Sequence, residues 1–360
     1  MKLFLAGGFL GSGKTTAIQQ ACLYLRELNI KAAVITNDQG DQQVDTRFME
    51  SNGISSEEVA NSCFCCNYPA LEKSIQSLTR HNAAEVIFAE SVGSCTDLAA
   101  TIINPLLTLN PGDYDIVLSV FADIRLLVLY LQDSRGLFFE EVTYIYQKQL
   151  EEADIIIVNK IDLVTPAQLE SARQLIEHKY AGKKVLYQNS LSPESIEVWV
   201  DTMLHAFNNP VIRKPLTIDY DTYGRGEARL TWLDKEITIT GNSETNVEAA
   251  YAIMQKIYTA VTNAGYPIGH LKFFIDTGTV QKKISFTTLN NTPVTAPAGI
   301  KAGRVSMLVN ARVQAEPPVL SKIVNDTIAE TMKEYSCQAE GNKESCFIPG
   351  YPKPTHRIAG

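Results

Sequence analysis

Several groups of residues in the sequence have the types and spacing that suit chemistry on phosphates, bases and metals. The first is a glycine-rich segment that follows a short apolar run, Gly8-x-x-x-x-Gly13-Lys14-Thr15. Glycines at these positions let backbone N–H groups turn inward around phosphates, and the N-terminus of the next helix adds partial positive charge. Lys14 is expected to reach the β- and γ-phosphates, and the Thr15 hydroxyl to ligate Mg²⁺. The alternative is a glycine-rich turn with a chance lysine.

A second group, Asn159-Lys160-x-Asp162, follows the apolar run Ile155–Val158 and predicts which base is bound. A carboxylate only accepts hydrogen bonds, so Asp162 can take one from the ring N–H of guanine and one from its exocyclic amine. Adenine lacks that amine and would leave the carboxylate unpaired, at a cost of about 1–3 kcal/mol. The alternative is an Asp that caps a helix. Ser190, in a later loop, is either a base contact or an ordinary turn residue.

Acidic residues follow two further apolar runs. Glu90-Ser91-Val92-Gly93 comes after Glu85–Ala89, a position where an acid commonly holds Mg²⁺ and a glycine N–H contacts the γ-phosphate. Asn37-Asp38-Gln39-Gly40-Asp41, with Asp45 close behind, gathers carboxylates where a nucleotide-sensing loop is expected. Asp38 is the member for which a catalytic role is predicted. The alternatives are a surface glutamate in the first case and a solvated acidic loop in the second.

Three cysteines occupy four consecutive positions in Ser62-Cys63-Phe64-Cys65-Cys66. Sulfurs at i, i+2 and i+3 converge if the segment forms a tight turn or a helix start, and thiolates suit Zn²⁺, Cu⁺ and other thiophilic metals. A closed zinc site has four ligands, so the fourth position is open to water, to a carboxylate such as Asp41 or Asp45, or to a distant residue. The alternatives are buried apolar cysteines or an adventitious redox site.

The other four of the seven cysteines, and the five histidines, carry weaker signals. Cys22 and Cys95 are interpreted as packing residues, whereas Cys337 and Cys346 leave a second metal site open. His270 begins a strand in the second half of the chain, and a lone histidine is more often structural than a metal ligand. These residues therefore add no firm site to the prediction.

Positioning these groups requires a sheet whose strands run parallel. Short, continuous apolar runs alternate with helical patterns through the first half, which is typical of a doubly wound α/β domain with both sheet faces covered. The predicted helices include Thr15–Leu28 and Pro166–Lys179, the second with Thr165 as its N-cap. The predicted strands are Leu3–Ala6, Ala32–Thr36, Glu85–Ala89, Ile116–Phe121, Ile155–Val158 and Lys184–Tyr187.

The pattern changes near Asn208-Asn209-Pro210, after which the strands are longer and alternate. Two helices, Glu244–Val261 and Pro318–Tyr335, are expected to lie on one face of an antiparallel sheet. The predicted organisation is a P-loop domain with the thiol motif over 1–210, a smaller α+β domain over 215–336 and an extended tail over 337–360. The predicted strands of the second domain are Ala228–Thr240, Ile268–Thr277, Lys282–Thr288 and Arg304–Val313.

Composition excludes several classes of protein. The 360 residues are 45% hydrophobic and 20% charged, which excludes wholesale disorder, and the length predicts two or three domains. No run approaches the roughly 18 apolar residues of a membrane helix, and the N-terminal apolar run leads directly into a glycine-rich segment unlike a signal peptide. A cytoplasmic protein is therefore expected. The net charge of −8 argues against broad nucleic-acid binding.

The sequence resembles the CobW-like family of P-loop GTPases, whose relatives help to load nickel into hydrogenase and urease. The resemblance covers roughly residues 1–200 and includes Gln149-Leu150-x-x-Ala153-Asp154 just before the guanine motif. Three features depart from the family. Asn37-Asp38-Gln39-Gly40 stands where Asn-Glu-Phe-Gly is usual, and Ser62 replaces the usual glycine before the first cysteine. No histidine-rich stretch is present, which makes metal storage a less expected role. The resemblance rests on Gly7-Gly8-Phe9-Leu10-Gly11-Ser12-Gly13-Lys14-Thr15-Thr16, Cys63-x-Cys65-Cys66, Glu90-x-x-Gly93 and Asn159-Lys160-x-Asp162.

The resemblance implies a GTP-hydrolysing metallochaperone with a slow intrinsic rate. It would use GTP and Mg²⁺, bind Zn²⁺ by default or Co²⁺, and deliver the metal to a client metalloprotein or cofactor-assembly protein, as a monomer or homodimer. No nucleic-acid or membrane partner is expected. The alternatives are a small-molecule kinase or ATPase, and a metal-sensing switch without an enzymatic role.

The resemblance also implies the roles of individual residues. The implied nucleotide contacts are Gly8, Gly11, Ser12, Gly13, Lys14, Thr15, Thr16, Gly93, Asn159, Lys160, Asp162 and Ser190. The implied catalytic residues are Lys14, Asp38 and Glu90. The implied metal ligands are Thr15 and Glu90 for Mg²⁺ and Cys63, Cys65 and Cys66 for the thiophilic metal.

Overall fold

The computed structural model describes residues 1–38, 40, 44–60, 62–132, 137–206, 211–290, 293–341 and 343–358. The chain divides into two units: unit 1 comprises Met1–Gln39, Asn52–Gly226 and Tyr351–Gly360, and unit 2 comprises Gly40–Ser51 and Glu227–Gly350. These units differ from the predicted boundaries, because residues 40–51 group with the second half of the chain and residues 351–360 with the first. The predicted change of pattern at 208–210 lies outside the described residues.

Unit 1 is built on a parallel sheet of seven described strands in the order β3-β2-β4-β1-β5-β6-β7. Leu3 and Phe4 on β1 point to opposite faces and are both buried, which confirms the predicted doubly wound sheet with covered faces. Strand β3 was not predicted, because its sequence, Ser-Glu-Glu-Val, is polar and the strand lies at the sheet edge. The strands are β1 Lys2–Gly8, β2 Ala32–Asn37, β3 Ser56–Val59, β4 Val86–Glu90, β5 Asp115–Asp123, β6 Ile155–Asn159 and β7 Lys184–Gln188.

Helices connect these strands, and their ends follow local sequence signals. The helix Pro166–Lys179 is confirmed to the residue: Thr165 Oγ1 accepts from Gln168 N at 3.3 Å, and proline occupies the first helical position. A π-helical turn, Ala99–Ile103, precedes the fourth helix. The helices up to residue 228 are α1 Lys14–Glu27, α2 Val44–Ser51, α3 Tyr68–His81, α4 Asn104–Leu109, α5 Ile124–Leu131, α6 Glu140–Glu152, α7 Pro166–Lys179, α8 Pro193–His205 and α9 Tyr220–Ala228.

The strand register brings the predicted functional segments to one edge of the unit 1 sheet. Ala6 on β1 pairs with Glu90 at the end of β4, and Asp123 at the end of β5 pairs with Asn159 at the end of β6. Because all these strands are parallel, the loops that follow them leave the sheet on the same side. Ligands of open α/β sheets bind at this carboxyl edge.

Unit 2 contains an antiparallel sheet of six described strands. Five of them lie in the order β10-β9-β11-β8-β12, and the sixth, β13, also pairs with β8. The segment predicted as an extended tail contributes β12 and β13, because its backbone completes the exposed side of β8. No helix within the described ranges combines the length and apolar character needed to span a bilayer. The strands are β8 Thr231–Thr240, β9 Ile268–Asp276, β10 Gln281–Phe286, β11 Arg304–Val313, β12 Gln338–Glu340 and β13 Glu344–Phe347.

Helices cover both faces of the unit 2 sheet. Helices α10 Asn246–Asn263 and α11 Pro317–Glu334 pack with Phe273 in the main core, whereas Val44 on α2 packs with Phe274 in a second cluster. Phe273 and Phe274 are neighbours on β9, so their side chains lie on opposite faces. The prediction placed both C-terminal helices on one face correctly, but it missed α2 because that helix comes from a distant part of the sequence.

A buried polar network explains His270. Its Nε2 lies 2.6 Å from Asn310 Oδ1, and Asn310 Nδ2 donates to Asp234 Oδ1 at 2.7 Å. Burial, with the charge of Lys272, lowers the pKa of His270 well below its usual value, so the ring is neutral at physiological pH. The histidine therefore has the structural role favoured for a lone histidine.

Asp45 lies between two lysines of unit 2. Its Oδ2 accepts from Lys272 Nζ at 2.5 Å and its Oδ1 from Lys283 Nζ at 2.5 Å, and all three side chains are largely buried. Burial alone would raise the pKa of Asp45, but the two ammonium groups hold it well below its usual value. A carboxylate engaged in this way does not fit the predicted roles in a nucleotide-sensing cluster or as a fourth metal ligand.

Asp45→Asn is expected to lower the free energy of unfolding of unit 2 by about 3–5 kcal/mol at pH 7, because it leaves two buried ammonium groups without a counter-charge. The difference from wild type should shrink as the pH falls below about 4, because the carboxylate then takes up a proton in the unfolded chain while it stays ionised in the folded protein. Urea unfolding followed by Trp232 fluorescence, in a Trp199→Phe background, measures it, since the chain has two tryptophans.

Lys301→Ala is the matched control, because it removes an exposed ion pair with Glu244 from the same unit. An exposed ion pair of this kind contributes about 0–1 kcal/mol to the free energy of unfolding. If Asp45→Asn lowered the free energy of unfolding at pH 7 no more than this control does, the ion pairs of Asp45 would not stabilise unit 2.

Candidate functional site

The phosphate loop joins β1 to α1 and depends on close backbone contacts. Gly13 has a φ of 96°, and a Cβ there would lie 2.4 Å from Asn159 Nδ2. Lys14 is buried at the start of α1 and donates from Nζ to Gly8 O at 2.7 Å and to Phe9 O at 3.3 Å. The ammonium group therefore lies within the loop, as the phosphate-loop motif predicts.

Two oxygen donors meet beside the loop at the carboxyl edge. Thr15 Oγ1 donates to Glu90 Oε1 at 2.9 Å, and both residues are buried. A hydroxyl and a carboxylate are ligand types that Mg²⁺ takes, so this donor set fits the ion. A Cβ on Gly93 would lie 3.0 Å from the main-chain N and Cα of Leu10, so the turn after β4 lies directly against the phosphate loop.

The end of β6 and the residue that follows it contact the other side of the phosphate loop. Asn159 Nδ2 donates to Ser12 O at 2.8 Å, and Lys160 Nζ donates to Gly11 O at 2.6 Å. Asn159 Oδ1 accepts from Ser190 N at 3.1 Å and from Ser190 Oγ at 2.8 Å. The structure thus brings Ser190 to the guanine motif and gives it a defined partner.

Asp123, at the end of β5, is a residue that the sequence reasoning missed. Its Oδ2 lies 3.0 Å from Lys160 Nζ and 2.7 Å from Arg125 Nη2. Burial alone would raise the pKa of Asp123, but Arg125 and Lys160 hold it below its usual value. Nearby, Asp162 is exposed and makes no side-chain hydrogen bond or ion pair within the described part of the chain. Its carboxylate is therefore available to a base.

The three-thiol cluster forms at a turn before α3. Cys66 N donates to Cys63 O at 3.0 Å, and this turn brings the three sulfurs within 4.8 Å of one another. Cys63 Sγ and Cys65 Sγ are 2.9 Å apart, and Cys65 Sγ and Cys66 Sγ are 3.8 Å apart. A tetrahedral site with Zn–S bonds of about 2.3 Å has edges of about 3.8 Å. The Cys65–Cys66 separation already matches this edge, and a small side-chain rotation would widen the Cys63–Cys65 separation to it.

Asn37 holds the cluster at the carboxyl edge of the sheet. Its Nδ2 donates to Val59 O at 2.8 Å and to Ser62 O at 2.7 Å, and its Oδ1 accepts from Phe64 N at 2.8 Å. One buried amide at the end of β2 therefore fixes the main chain on both sides of Cys63. The sequence analysis placed Asn37 in the acidic segment but did not assign it this role.

Cys65 and Cys66 favour their protonated forms when no metal is bound. Contacts with neighbouring thiols, first Cys63, raise the pKa of Cys65 well above its usual value, and the contact with Cys63 and burial raise that of Cys66 to about 11. Metal binding would therefore release protons. Cys95, predicted as a packing residue, is buried in the turn after β4, where Cys95 N donates to Val92 O at 2.9 Å.

Residues 351–358, here called the tail strap, run over the cluster. Thr355 N donates to Cys65 O at 2.7 Å, and Thr355 Oγ1 donates to Cys66 O at 3.2 Å. Lys353 N donates to Cys66 Sγ at 3.2 Å. The sequence analysis left this segment without a role, since neither its composition nor its position points to a partner so far away along the chain.

A buried acid anchors the tail strap. Arg357 Nε donates to Asp97 Oδ2 at 2.8 Å, and Tyr220 Oη donates to the same oxygen at 2.7 Å. Ile358 N donates to Ala100 O at 2.9 Å. Burial raises the pKa of Asp97, and the bonds from Tyr220 and Arg357 offset part of that effect. The strap is thereby tied to the segment that follows Gly93.

Helix α6 holds the same segment from another side. Gln149 Nε2 donates to Gly93 O at 3.0 Å and to Cys95 O at 2.8 Å. Glu152 Oε2 accepts from Ala99 N at 3.2 Å, and burial raises the pKa of Glu152 to about 8. The Gln-Leu-x-x-Ala-Asp stretch before the guanine motif therefore supports the turn that lies against the phosphate loop.

The remaining candidate residues are two acids and three cysteines. Asp38 is buried after β2, and its catalytic role stays a prediction; Asp41 lies outside the described residues. Cys22 is a packing residue of α1 whose pKa burial raises to about 12. Cys337 Sγ donates to Asn246 and Cys346 Sγ to Pro317, so these two thiols have separate partners in unit 2.

The fold and these contacts define a P-loop nucleotide-binding domain that carries a thiol cluster at the carboxyl edge of its sheet. The family model described as "CobW/HypB/UreG, nucleotide-binding domain" matches residues 2–187. The chain belongs to this family, which confirms the resemblance predicted from its motifs.

Individual relatives match over part of their length. Zinc chaperone YeiR of Escherichia coli (strain K12) is 26% identical over 190 residues, 51% of this chain and 53% of that protein. Zinc chaperone YjiA of the same organism is 27% identical over 174 residues, 46% of this chain and 50% of that protein. The chain spans about half the length of these curated relatives. HypB from Helicobacter pylori in complex with nickel aligns with a TM-score of 0.41 and 16% identity, over 56% of this chain and 85% of that one.

Arg357→Ala is expected to raise the alkylation rate of Cys66 about 5-fold in the metal-free protein. The substitution removes the charged anchor of the tail strap, and a loss of about 1 kcal/mol changes an opening equilibrium by about that factor. Pulse labelling with a maleimide, followed by peptide mass spectrometry, measures the rate. Cys346, a half-buried thiol of unit 2, serves as the internal reference.

Arg225→Ala is the matched control, since Arg225 is exposed and lies 3.9 Å from its acid, Glu141. This variant should label like wild type. Unchanged labelling of Cys66 in Arg357→Ala would mean that the Asp97 ion pair does not hold the strap over the cluster.

Proposed function

We propose that this protein is a GTP-hydrolysing metallochaperone that carries a thiophilic divalent metal, zinc by default, to a client metalloprotein or cofactor-assembly protein. One observation carries the proposal: the thiol loop is held by Asn37 at the sheet edge where Thr15 and Glu90 meet. Nucleotide chemistry and metal binding would thus share one group of loops. The names of the zinc chaperones that this chain resembles support the metal assignment.

In this proposal the phosphates bind in the loop between β1 and α1. Lys14 and the N–H groups of the loop would hold their oxygens, and the N–H of Gly93 would contact the γ-phosphate. Mg²⁺, held by Thr15 and Glu90, would neutralise charge on the β- and γ-phosphates. Asp38, at the end of β2, is proposed to act in the hydrolytic step. A slow intrinsic rate is expected, because no glutamine or arginine is assigned to the attacking water or the transition-state charge.

Guanine specificity is proposed to come from Asp162. Its exposed carboxylate can accept from both the ring N–H and the exocyclic amine, while Asn159 and Lys160 hold the segment against the phosphate loop. Adenine would leave that carboxylate facing an acceptor. This arrangement favours GTP over ATP, and so a GTPase over the alternative of an ATP-dependent kinase.

The metal cargo is proposed to be held by Cys63, Cys65 and Cys66. Thiolates select zinc and other thiophilic ions, and availability rather than affinity often decides which metal is bound, so cobalt stays open as a second cargo. The γ-phosphate would order the segments after β2 and β4, and hydrolysis would release that order and with it the metal. The proposed partner is a client metalloprotein or cofactor-assembly protein. The proposed assembly state is a monomer or a homodimer.

Asp162→Asn is expected to weaken GDP binding about 5- to 100-fold, because the amide cannot accept from both guanine donors. It should at the same time strengthen the binding of xanthosine diphosphate, whose carbonyl in place of the exocyclic amine accepts from the new amide N–H. Isothermal titration of the full chain with the diphosphates of guanosine, xanthosine and adenosine measures both effects.

Asp113→Asn, at an exposed acid elsewhere in unit 1, is the control and should bind all three nucleotides like wild type. Equal affinity of the wild-type protein for GDP and ADP would contradict guanine specificity and favour the kinase or ATPase alternative.

Zinc affinity is expected to differ about 5- to 150-fold between the GDP complex and the complex with a non-hydrolysable GTP analogue, as coupled sites commonly do. By linkage, zinc must change the relative affinity for the two nucleotides by the same factor. Competition with a chromophoric zinc chelator measures the first effect, and nucleotide titration with and without zinc measures the second.

Two variants separate the sites: Lys14→Ala should bind zinc without nucleotide dependence, and Cys65→Ala should bind nucleotide without zinc dependence. Independent affinities in the wild-type protein would overturn the coupling. Coupled affinities without any hydrolysis of GTP would favour the metal-sensing switch over the metallochaperone.

A further inference from the structure

The tail strap is bound to unit 1 in the way that an extended peptide is bound to a protein. It forms neither helix nor strand, and its main-chain groups bond to residues far away in the sequence. Thr355 N donates to Cys65 O at 2.7 Å. Three residues later, Ile358 N donates to Ala100 O at 2.9 Å. The surface under the strap is therefore a peptide-binding surface that this chain fills with its own residues.

Two side chains of the strap are received by that surface. Arg357 is 36% exposed and pairs with Asp97, whose side chain is 1% exposed. His356 packs edge-on against the ring of Tyr68, with the ring centroids 4.9 Å apart. Without the strap, Asp97 would keep the bond from Tyr220 but lose its counter-charge, which is costly for a buried carboxylate. The surface therefore favours a segment with a basic side chain at the position of Arg357.

The strap also covers the approach to the metal ligands. Cys63 and Cys65 are 5% and 3% exposed, and the half-buried Cys66 accepts from Lys353 N at 3.2 Å. A protein that receives zinc must bring a ligand atom to within about 2.3 Å of the metal. The tail strap now fills the space beside the Cys66 sulfur. A receiving protein that reaches the metal from this side must therefore take the place of the strap.

The position of Lys353 is the point at which a receiving ligand would meet the metal. Its main-chain N bonds to Cys66 Sγ, its Cα is the next atom along the chain, and its side chain is exposed. A Cys or His at this position would therefore begin beside a sulfur of the cluster. Thiolate and imidazole are both ligands that zinc takes.

We propose that the surface under the tail strap is the docking site for the client, and that the strap is its intramolecular competitor. The client segment that fits is extended and carries a Cys or His four residues before an Arg or Lys. The basic side chain would pair with Asp97, and the Cys or His would meet the metal beside Cys66. The inference rests on the proposed function, since the client is the protein that receives the metal.

Binding of a fluorescein-labelled peptide of residues 351–358 to the metal-free full chain tests the docking site by fluorescence anisotropy. The Arg357→Ala protein is expected to bind this peptide about 5-fold more tightly than wild type, because its own strap leaves the surface open more often. Arg225→Ala is the matched control and should bind the peptide like wild type. A peptide that carries Arg357→Ala should bind the Arg357→Ala protein about 5-fold more weakly than the unchanged peptide.

Two results would overturn the docking site. One is equal binding of the two peptides by the Arg357→Ala protein, and the other is equal binding of the unchanged peptide by the Arg357→Ala and Arg225→Ala proteins. Sedimentation of the wild-type chain tests another occupant. A dimer that the peptide dissociates would assign the surface to the strap of a second copy and overturn the assignment to a client.

Zinc transfer tests the client role of the same surface. The Arg357→Ala chain, loaded with one zinc, is mixed with a chromophoric zinc chelator and a peptide that carries Lys353→Cys. At sub-saturating concentration this peptide is expected to speed zinc release about 5-fold more than a peptide that carries both Lys353→Cys and Arg357→Ala, because docking raises the effective concentration of its thiol beside the metal. The two peptides differ only in the basic anchor.

The possible failures are distinguishable. Equal release rates with the two thiol peptides would overturn the transfer of metal at this surface and leave the three-thiol metal site standing. Failure of the wild-type chain to bind zinc would overturn the proposed function, and with it the client role. Peptide binding is measured without metal, so its failure would count against the docking site alone.

Discussion

The parallel alignment of the strands in unit 1 is the constraint on which both candidate sites depend. Because β1, β2, β4, β5 and β6 run in one direction, the loops after Gly8, Asn37, Glu90 and Asn159 leave the sheet at one edge. A residue placed at the end of one strand can therefore contact the loop after its neighbour without long side chains. Thr15 and Glu90 meet in this way although 75 positions separate them.

Buried side-chain amides hold these neighbouring loops in fixed positions. Asn37, Asn159 and Gln149 each donate to the carbonyl of a loop, and the first two also accept from main-chain N–H groups with their own oxygens. An amide suits this task because it offers donors and an acceptor without a charge, so its burial does not call for a counter-ion. The phosphate loop, the thiol loop and the turn after β4 are each held by one such residue.

The sequence predicted the parts of the sites that depend on local spacing. Patterns of neighbouring residues predict the phosphate loop, the guanine motif and the thiol turn. They also predict the helix Pro166–Lys179 and most strands. Contacts between distant segments were not predictable. From sequence, Asp45 is a candidate metal or nucleotide ligand, but in the fold two lysines from β9 and β10 surround it. The tail strap carries no spacing signal at all.

Charge balance gives the tail strap a physical role in the proposed cargo site. Three thiolates on a divalent ion carry a net charge of −1, and such a charge is costly in a buried position unless hydrogen-bond donors compensate it. Lys353 N–H is such a donor, because it bonds to Cys66 Sγ and favours the thiolate form. Arg357 does not contribute, since its charge is paired with Asp97. Lifting the strap would remove a donor from the metal-bound sulfur of Cys66 and weaken the binding of the metal, so the strap would act directly on the ligand set of the proposed site.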